Sequence, residues 1–448
     1  MPFIPNTDDD RRAMLAAIGV KNFEELLSNI PESARFKGEL NLPIAHSEFE
    51  VTEALRRLAG RNANVSTHVS FLGGGAYDHY VPAAVGHLLL RPEFFTAYTP
   101  YQPEVAQGTL QVIYEFQSMI CELTGMYVAN ASMYDGGSAL AEAVLMAHAA
   151  TGRKKIVLSN AVHPNYRRIV RTYSHGLALS PVEMDVAKKG VTEVSAVAAA
   201  MDNQTAALVV QHPNFFGNLE NVHELAEWAH RHEALFIVSV DPISLAILEP
   251  PGSYGADIVV GEGQCFGGSL NYGGPYLGIF ATTEKNLRRM PGRIAGVTVD
   301  AQGRRGFTLT LQTREQHIRR EKATSNICTN QALLATAATI YLSLMGKEGL
   351  REVAEHSAQK AHYLAEQLGT VPGCRLAYDT PFFKEFVVKL PKPAKQEIAQ
   401  LIEKKILAGI NLGQFYSGMD DCLLVAVTEK RTRPEMDMFV AMLNAVLA

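Results

Sequence analysis

The sequence predicts an α/β fold in which a mostly parallel sheet is sandwiched by helices, with an N-terminal helical arm and a smaller C-terminal α+β domain. Three observations carry this expectation. Short apolar runs alternate with helical stretches from about residue 71 to 282. A polar segment with helix-start signals precedes them. Beyond residue 325 strand and helix patterns alternate again around new apolar runs. We place the boundaries at 1–65, 66–325 and 326–448.

The bulk numbers agree with this division. A chain of 448 residues is too long for one compact unit, and 47% hydrophobic residues can fill a large core. A net charge of -5 argues against nucleic acid or an anionic membrane as partner. Five widely spaced cysteines with no C-x-x-C pair give neither a disulfide framework nor a zinc site, which points to a reducing cytoplasm. The N-terminal stretch carries an acidic run where a secretory leader would be basic. No run of about 18 apolar residues is present, so no membrane span is expected.

In order, FEELLSNIP from Phe23 reads as a short helix stopped by Pro31. Ser47, with Glu50 three residues on, has the spacing of a capping box and opens the helix EVTEALRRLAG. KIVLS at Lys155, ALVVQHP at Ala207, LFIVSVD at Leu235, DIVVG at Asp257 and YLGIFAT at Tyr276 read as strands. Helical stretches such as EVSAVAAAMD and NVHELAEWAHRH lie between the first four, which makes βαβ units. Two helices follow, NQALLATAATIYLSLMG and KEGLREVAEHSAQKAHYLAEQL. The strand FFKEFVVKL, the helix EIAQLIEKKILAG, the strand CLLVAVTEK and a helix after Pro434 complete the chain.

Several motifs suit chemistry, and each has a structural alternative. The glycines of FLGGGAYDHYVP (Phe71–Pro82) suit a pocket lined by the residues after them, or a plain turn. In AYTPYQPEVAQG, Tyr98, Tyr101, Gln102 and Glu104 stand on a proline-stiffened segment. That suits recognition of a small polar substrate, or a rigid helix start. Gly136, Gly137 and Ser138 open an alanine-rich helix, a site for phosphate or an ordinary cap. Asp241 and His163 follow strands, where α/β folds place ligands, and each is also a plausible structural polar group. From Lys285 to Lys322 ten basic residues face three acidic ones, a balance of 10 − 3 = +7. An acidic partner and a subunit interface both fit that charge.

Four stretches, AYTPYQPEVAQG, NASMYDGGSALAEA, LNYGGPYLGIFA and TREQHIRREKATSNICT, resemble the P-protein of the glycine cleavage system, the decarboxylating glycine dehydrogenase. The similarity runs over nearly the whole chain and is to the N-terminal half, called subunit 1. It implies the fold-type I pyridoxal-phosphate-dependent transferase-like architecture. It also implies glycine as substrate, a P-protein subunit 2 partner in an α2β2 tetramer, and the lipoyl arm of H-protein as acceptor. Counting back from Gly273-Gly274-Pro275, the cofactor lysine position falls on Gln264, which has no amine to form a Schiff base. Of the chain's 17 lysines none lies between Lys189 and Lys285, where that lysine belongs.

The resemblance therefore implies that pyridoxal phosphate sits on the partner subunit. Gly136, Gly137, Ser138, His163 and Asp241 become remnants of a cofactor pocket, with Asp241 at the ring-nitrogen position. Tyr98, Tyr101, Gln102 and Glu104 become the residues expected to reach the partner's site. Two other readings stay open. One is a self-sufficient pyridoxal-phosphate decarboxylase using another lysine, for which Lys322 is the candidate. The other is a non-catalytic scaffold subunit.

Overall fold

The computed structural model describes residues 5–186 and 189–448. The first four residues of the stretch read against a leader lie outside these. The chain divides into two compact units, residues 1–62 and 63–448.

In the first unit, Thr7 and Ser47 cap helices α1 (Asp8–Ile18) and α2 (Glu48–Ala59), each through a complete capping box. The turn at Phe23 ends at Leu26, sooner than Pro31 requires, and is capped by Asn22. None of these helices contains a buried residue.

The second unit is built on a seven-stranded sheet. Its strands are β1 (Val128–Ala129), β2 (Lys155–Ser159), β3 (Ser180–Met184), β4 (Thr205–His212), β5 (Leu235–Val240), β6 (Ile258–Glu262) and β7 (Gly278–Thr282). The spatial order is β1-β7-β6-β5-β4-β2-β3. β3, β2, β4, β5 and β6 run parallel, and β7 is antiparallel to both neighbours. The apolar runs are continuous because both faces are covered. Val157, Leu208, Val238 and Val259 enter one core with Phe116 and Ile120 of α3 (Gln107–Thr124). Ile156, Val209, Ile237 and Val260 enter the other, with the alanines of α4 (Gly136–Thr151). The alternation is the strand period of two.

The long helix α5 (Ala332–Gly369) is broken at Gly346 (φ 60°, ψ −170°), so the two helices read from the sequence meet at a kink. Its first half gives Ala338 and Tyr341 to the sheet core. Its second half gives Leu364 and Leu368 to a C-terminal core with Phe71 and Phe439. That core covers a four-stranded antiparallel sheet containing β8 (Glu385–Lys389) and β9 (Cys422–Ala426). The opposite face, with Val387 and Leu424, rests on Phe215 and Phe216, which follow β4.

The contact that seats β8 is tight. Phe383 N–H donates to Gly217 O at 3.2 Å, and Gly217 has φ +87°. A Cβ at Gly217 would stand 1.9 Å from Glu385 O. We predict that Gly217→Ala, combining left-handed strain with a backbone clash, destabilises by about 2–5 kcal/mol. Gly152→Ala, at φ +70° with nothing within 4 Å, should lose only about 1 kcal/mol. Chemical denaturation compares the two, and equal losses would mean that the close approach is not what matters.

Candidate active site

The carboxyl ends of the parallel strands share one edge of the sheet. α4 begins there because Asp135 caps it: its carboxylate accepts the Ser138 N–H at 2.7 Å, and Ser138 Oγ accepts the Asp135 N–H at 3.2 Å. The glycines are buried beneath this chain's own side chains. Gly136 N–H donates to Glu262 Oε2 at 3.0 Å. Glu262 Oε1 accepts from the Gln264 and Leu277 N–H groups at 3.0 and 2.9 Å. Burial nonetheless pushes Glu262 up to about 7. A Cβ on Gly136 would lie 2.6 Å from the Tyr166 hydroxyl, so that phenol roofs the helix start.

His163 sits at the first turn after β2. Its Nδ1 accepts the Asn165 N–H at 3.1 Å, so Nε2 carries the proton and donates to Gly74 O at 2.7 Å. The ring stacks on Tyr166 with centroids 4.5 Å apart. Burial lowers its pKa to about 4, so it stays neutral near pH 7.

Asp241 follows β5. Its Oδ1 accepts the Ile243 N–H at 3.1 Å, and its Oδ2 pairs with Lys384 Nζ at 2.8 Å. Lys384 is 1% exposed. Its ammonium also donates to His79 Nε2 at 2.9 Å and lies 3.6 Å from the centre of the Tyr77 ring. An ammonium can only donate, so His79 Nε2 must accept, which puts the imidazole proton on Nδ1. That proton goes to Glu429 Oε2 at 2.6 Å. Burial first, and the Lys384 charge second, lower the His79 pKa and keep it neutral. The relay is therefore carboxylate, ammonium, neutral imidazole, carboxylate.

Gln264 is 2% exposed and fully engaged. Its Oε1 accepts the Tyr77 N–H at 2.9 Å, and its Nε2 donates to Tyr77 O at 3.1 Å and Gly268 O at 2.6 Å. Tyr77 in turn donates its hydroxyl to Glu385 Oε2 at 2.8 Å, while Gly74 N–H reaches Glu385 Oε1 at 2.7 Å. Burial pushes Glu385 up to about 7.

Gly136, Gly137, Ser138, Asp241 and Gln264 thus lie along this edge, and His163 joins them through Gly74. Tyr98, Gln102 and Glu104 are exposed elsewhere, on the proline-stiffened loop. Tyr98, Tyr101 and Gln102 line an open cleft of about 500 Å³. Tyr101 is anchored behind it, accepting from Arg293 Nη2 at 2.9 Å. Arg293 and Arg314 are themselves buried, so the basic stretch is partly internal. Lys322, the lysine singled out from the sequence, is exposed, whereas the lysine that enters the pocket is Lys384. Sequence reasoning also missed Glu262, Glu385 and Glu429. Tyr77 and His79 belong to the glycine-rich motif, which was the available signal for them. Among the described residues no group of three or more histidines, cysteines and acids is placed to hold a metal ion.

A sequence model of the family "Glycine cleavage system P-protein" matches residues 1–443. A protein of Chloroherpeton thalassium described as probable glycine dehydrogenase (decarboxylating) subunit 1 is 58% identical over 444 residues, 99% of each chain. One so described from Anoxybacillus flavithermus is 51% identical over 438 residues, 98% of this chain and 97% of its own. Among solved structures, glycine decarboxylase (P-protein) of the glycine cleavage system in inhibitor-bound form superposes with a TM-score of 0.92 at 42% identity over 100% of both chains. Glutamate decarboxylase from Lactobacillus brevis, at 13% identity and a TM-score of 0.69 over 93% of this chain and 96% of its own, shares the fold alone.

Two predictions follow from the buried charges. Lys384→Met leaves Asp241 unpaired and should lose about 3–5 kcal/mol. Combined with Asp241→Asn, a favourable coupling of about 1–3 kcal/mol should appear in a double-mutant cycle. A coupling near zero would deny that the pair acts as a unit. The folded pKa of Glu385 is about 7 against an ordinary 4.5. A raised carboxylate contributes stability at low pH that is lost as pH rises through that window. Glu385→Gln should therefore gain on the parent protein between pH 4.5 and 7 and hold a constant difference above it. A difference independent of pH would contradict this.

Proposed function

The chain belongs to the glycine cleavage system P-protein family, and on that premise we propose that it is subunit 1 of the glycine-decarboxylating enzyme, active only with a lysine-bearing subunit 2. The assembly we propose is α2β2 and cytoplasmic. It decarboxylates glycine on pyridoxal phosphate held by subunit 2 and passes the aminomethyl group to the lipoyl arm of H-protein. The carrying observation is chemical: Gln264 has no nucleophilic amine and spends its amide on Tyr77 and Gly268.

Pyridoxal phosphate does not fit the edge of this chain's sheet. At the start of α4 the Gly136 N–H is already taken by Glu262 Oε2 at 3.0 Å, and the Tyr166 hydroxyl stands over that glycine. Asp241 already holds an ammonium. No step of the reaction is assigned here.

The contribution to turnover is assigned instead to the loop carrying Tyr98, Tyr101, Gln102 and Glu104. Arg293 fixes Tyr101, so the loop presents polar groups from a rigid base, as a residue set completing a neighbour's site requires. The exposed cations Arg319 and Arg320 are proposed to dock acidic H-protein. The filled pocket also favours a second reading, a purely structural scaffold subunit.

The isolated chain should be colourless and inactive in glycine–bicarbonate exchange, with activity appearing on co-expression with subunit 2. Tyr98→Ala with Glu104→Ala, in the assembled enzyme, should lower turnover by at least about 100-fold if these groups handle protons or orient substrate. Undiminished turnover would favour the scaffold. Arg319→Glu with Arg320→Glu should raise the KM for H-protein by about tenfold or more at low salt. An unchanged KM would remove the docking assignment.

A further inference from the structure

We propose that this chain keeps a latent pyridoxal-phosphate-shaped site whose two ends are occupied by its own side chains, the Lys384 ammonium on Asp241 and the Glu262 carboxyl group at the start of α4. This deepens the subunit assignment and rests on it only for the choice of coenzyme.

At one end, Asp241 stands at the end of β5, where a carboxylate would hold a protonated ring nitrogen. Lys384 Nζ sits on that carboxylate at 2.8 Å. Its remaining donor capacity goes to His79, and its face to the Tyr77 ring. The ring nitrogen and the aldehyde-bearing carbon of pyridoxal lie on opposite sides of the ring. A lysine bound to Asp241 is therefore at the wrong end to form the covalent link, and it blocks the right partner for the nitrogen. Lys384 is an occupant of the pocket and no substitute for the lysine missing at Gln264.

At the other end, the free N–H groups and positive dipole end of a helix start suit a phosphate. Here Glu262 Oε2 takes the Gly136 N–H at 3.0 Å, and the same carboxylate is pinned by the Gln264 and Leu277 N–H groups. The Tyr166 hydroxyl closes over Gly136. A dianion arriving there would meet a carboxyl group already bound to the N–H it needs, in a space narrowed by the Tyr166 ring.

Between the two ends, Gln264 is clamped to the Tyr77 backbone. Among the described residues, no side-chain polar atom of Asp241, Lys384, His79, Gln264 or Glu262 is buried without a partner. An interrupted site would leave orphaned donors waiting for a ligand. None of these five side chains has one.

The test uses the full-length chain, alone and co-purified with subunit 2, and pyridoxamine phosphate as probe, because it lacks the aldehyde that labels surface lysines. With the wild-type chain, millimolar probe should leave the melting temperature unchanged. After pyridoxal phosphate and borohydride, peptide mapping should find label on exposed Lys285 and Lys322 and none on Lys384. Lys384→Ala combined with Glu262→Ala vacates both ends, and in that variant the probe should raise the melting temperature by several degrees with saturation. The assembled wild-type enzyme should release one coenzyme per pair of subunits.

A saturable rise in the wild-type chain, or pyridoxyl label on Lys384, overturns the filled pocket. A folded double variant indifferent to the probe overturns the assignment of these two occupants. Should the double variant fail to fold, the wild-type titration and the label map decide alone. Failure of this inference is distinct from failure of the subunit assignment. Non-covalent binding to the wild-type chain sinks the former only, and an assembled enzyme without glycine exchange sinks the latter only.

Discussion

The buried pair of Lys384 and Asp241 is the constraint around which the larger unit is arranged. Asp241 directly follows a central strand of the main sheet, and Lys384 directly precedes β8 of the C-terminal sheet. Two charges removed from water hold together only when each remaining donor and acceptor is satisfied. His79, Glu429 and the Tyr77 ring supply that completion, and all come from segments that meet at the same seam. Asp78, next to His79, pairs with Lys430 and Arg431 on the segment carrying Glu429. The glycine-rich loop is thereby held by charge on one side and by Glu385 on the other. The apolar contact of Val387 and Leu424 with Phe215 and Phe216 brings the layers together without direction. The ion pair gives that contact a register.

Much of the fold was legible because burial on both sides leaves long apolar runs. KIVLS, ALVVQHP, LFIVSVD and DIVVG needed only their composition to be read. β3 was missed for a physical reason. Ser-Pro-Val-Glu-Met is an edge strand, where a proline costs no ladder bond and the glutamate is spent on pairs with Arg167 and Arg171, so no apolar run marks it. The direction of β7 was equally hidden, since an antiparallel strand buried on both faces has the same composition as a parallel one. The capping boxes of α2 and α4 are local, and the first could be read directly from the Ser47–Glu50 spacing.

The site divides along the same line. Asp241 and His163, placed by strand ends, follow from topology, whereas Gln264 came only from the family resemblance, by counting back from Gly273-Gly274-Pro275. Lys384 was not, because FFKEFVVKL reads as an ordinary strand with a charged entry, and its partner lies in another layer. Its inward place shows only in the structure, where it pairs with Asp241 at 2.8 Å. The basic stretch misled in the opposite sense. A linear count weighs Arg293 and Arg314 equally with Arg319, yet the first two point into the protein. Arg314 gives its guanidinium to the Gly292 and Leu311 carbonyls. Arg293 holds Tyr101 and Asn330. Arg293 thereby anchors the candidate loop, and the exposed charge of the stretch is left to the other residues.

In the proposed latent site, with a glutamine at position 264, the space that a cofactor would take cannot simply be left empty. Left dry, a void on the order of 300 Å³ would cost about 7 kcal/mol at about 24 cal/mol per Å³. That is comparable to the whole stability of an ordinary domain, about 5–15 kcal/mol. Left wet, it would hydrate the seam between the two sheets and free the C-terminal one from its anchor. Substituting Asp241 alone would leave the Lys384 ammonium unpaired, and substituting Lys384 alone strands the carboxylate. Filling the space from the opposite layer with a cation resolves both demands together, since the group that neutralises Asp241 is also the group that pulls β8 onto the main sheet. The pocket and the joint between layers are therefore one structural element, and neither can change without the other.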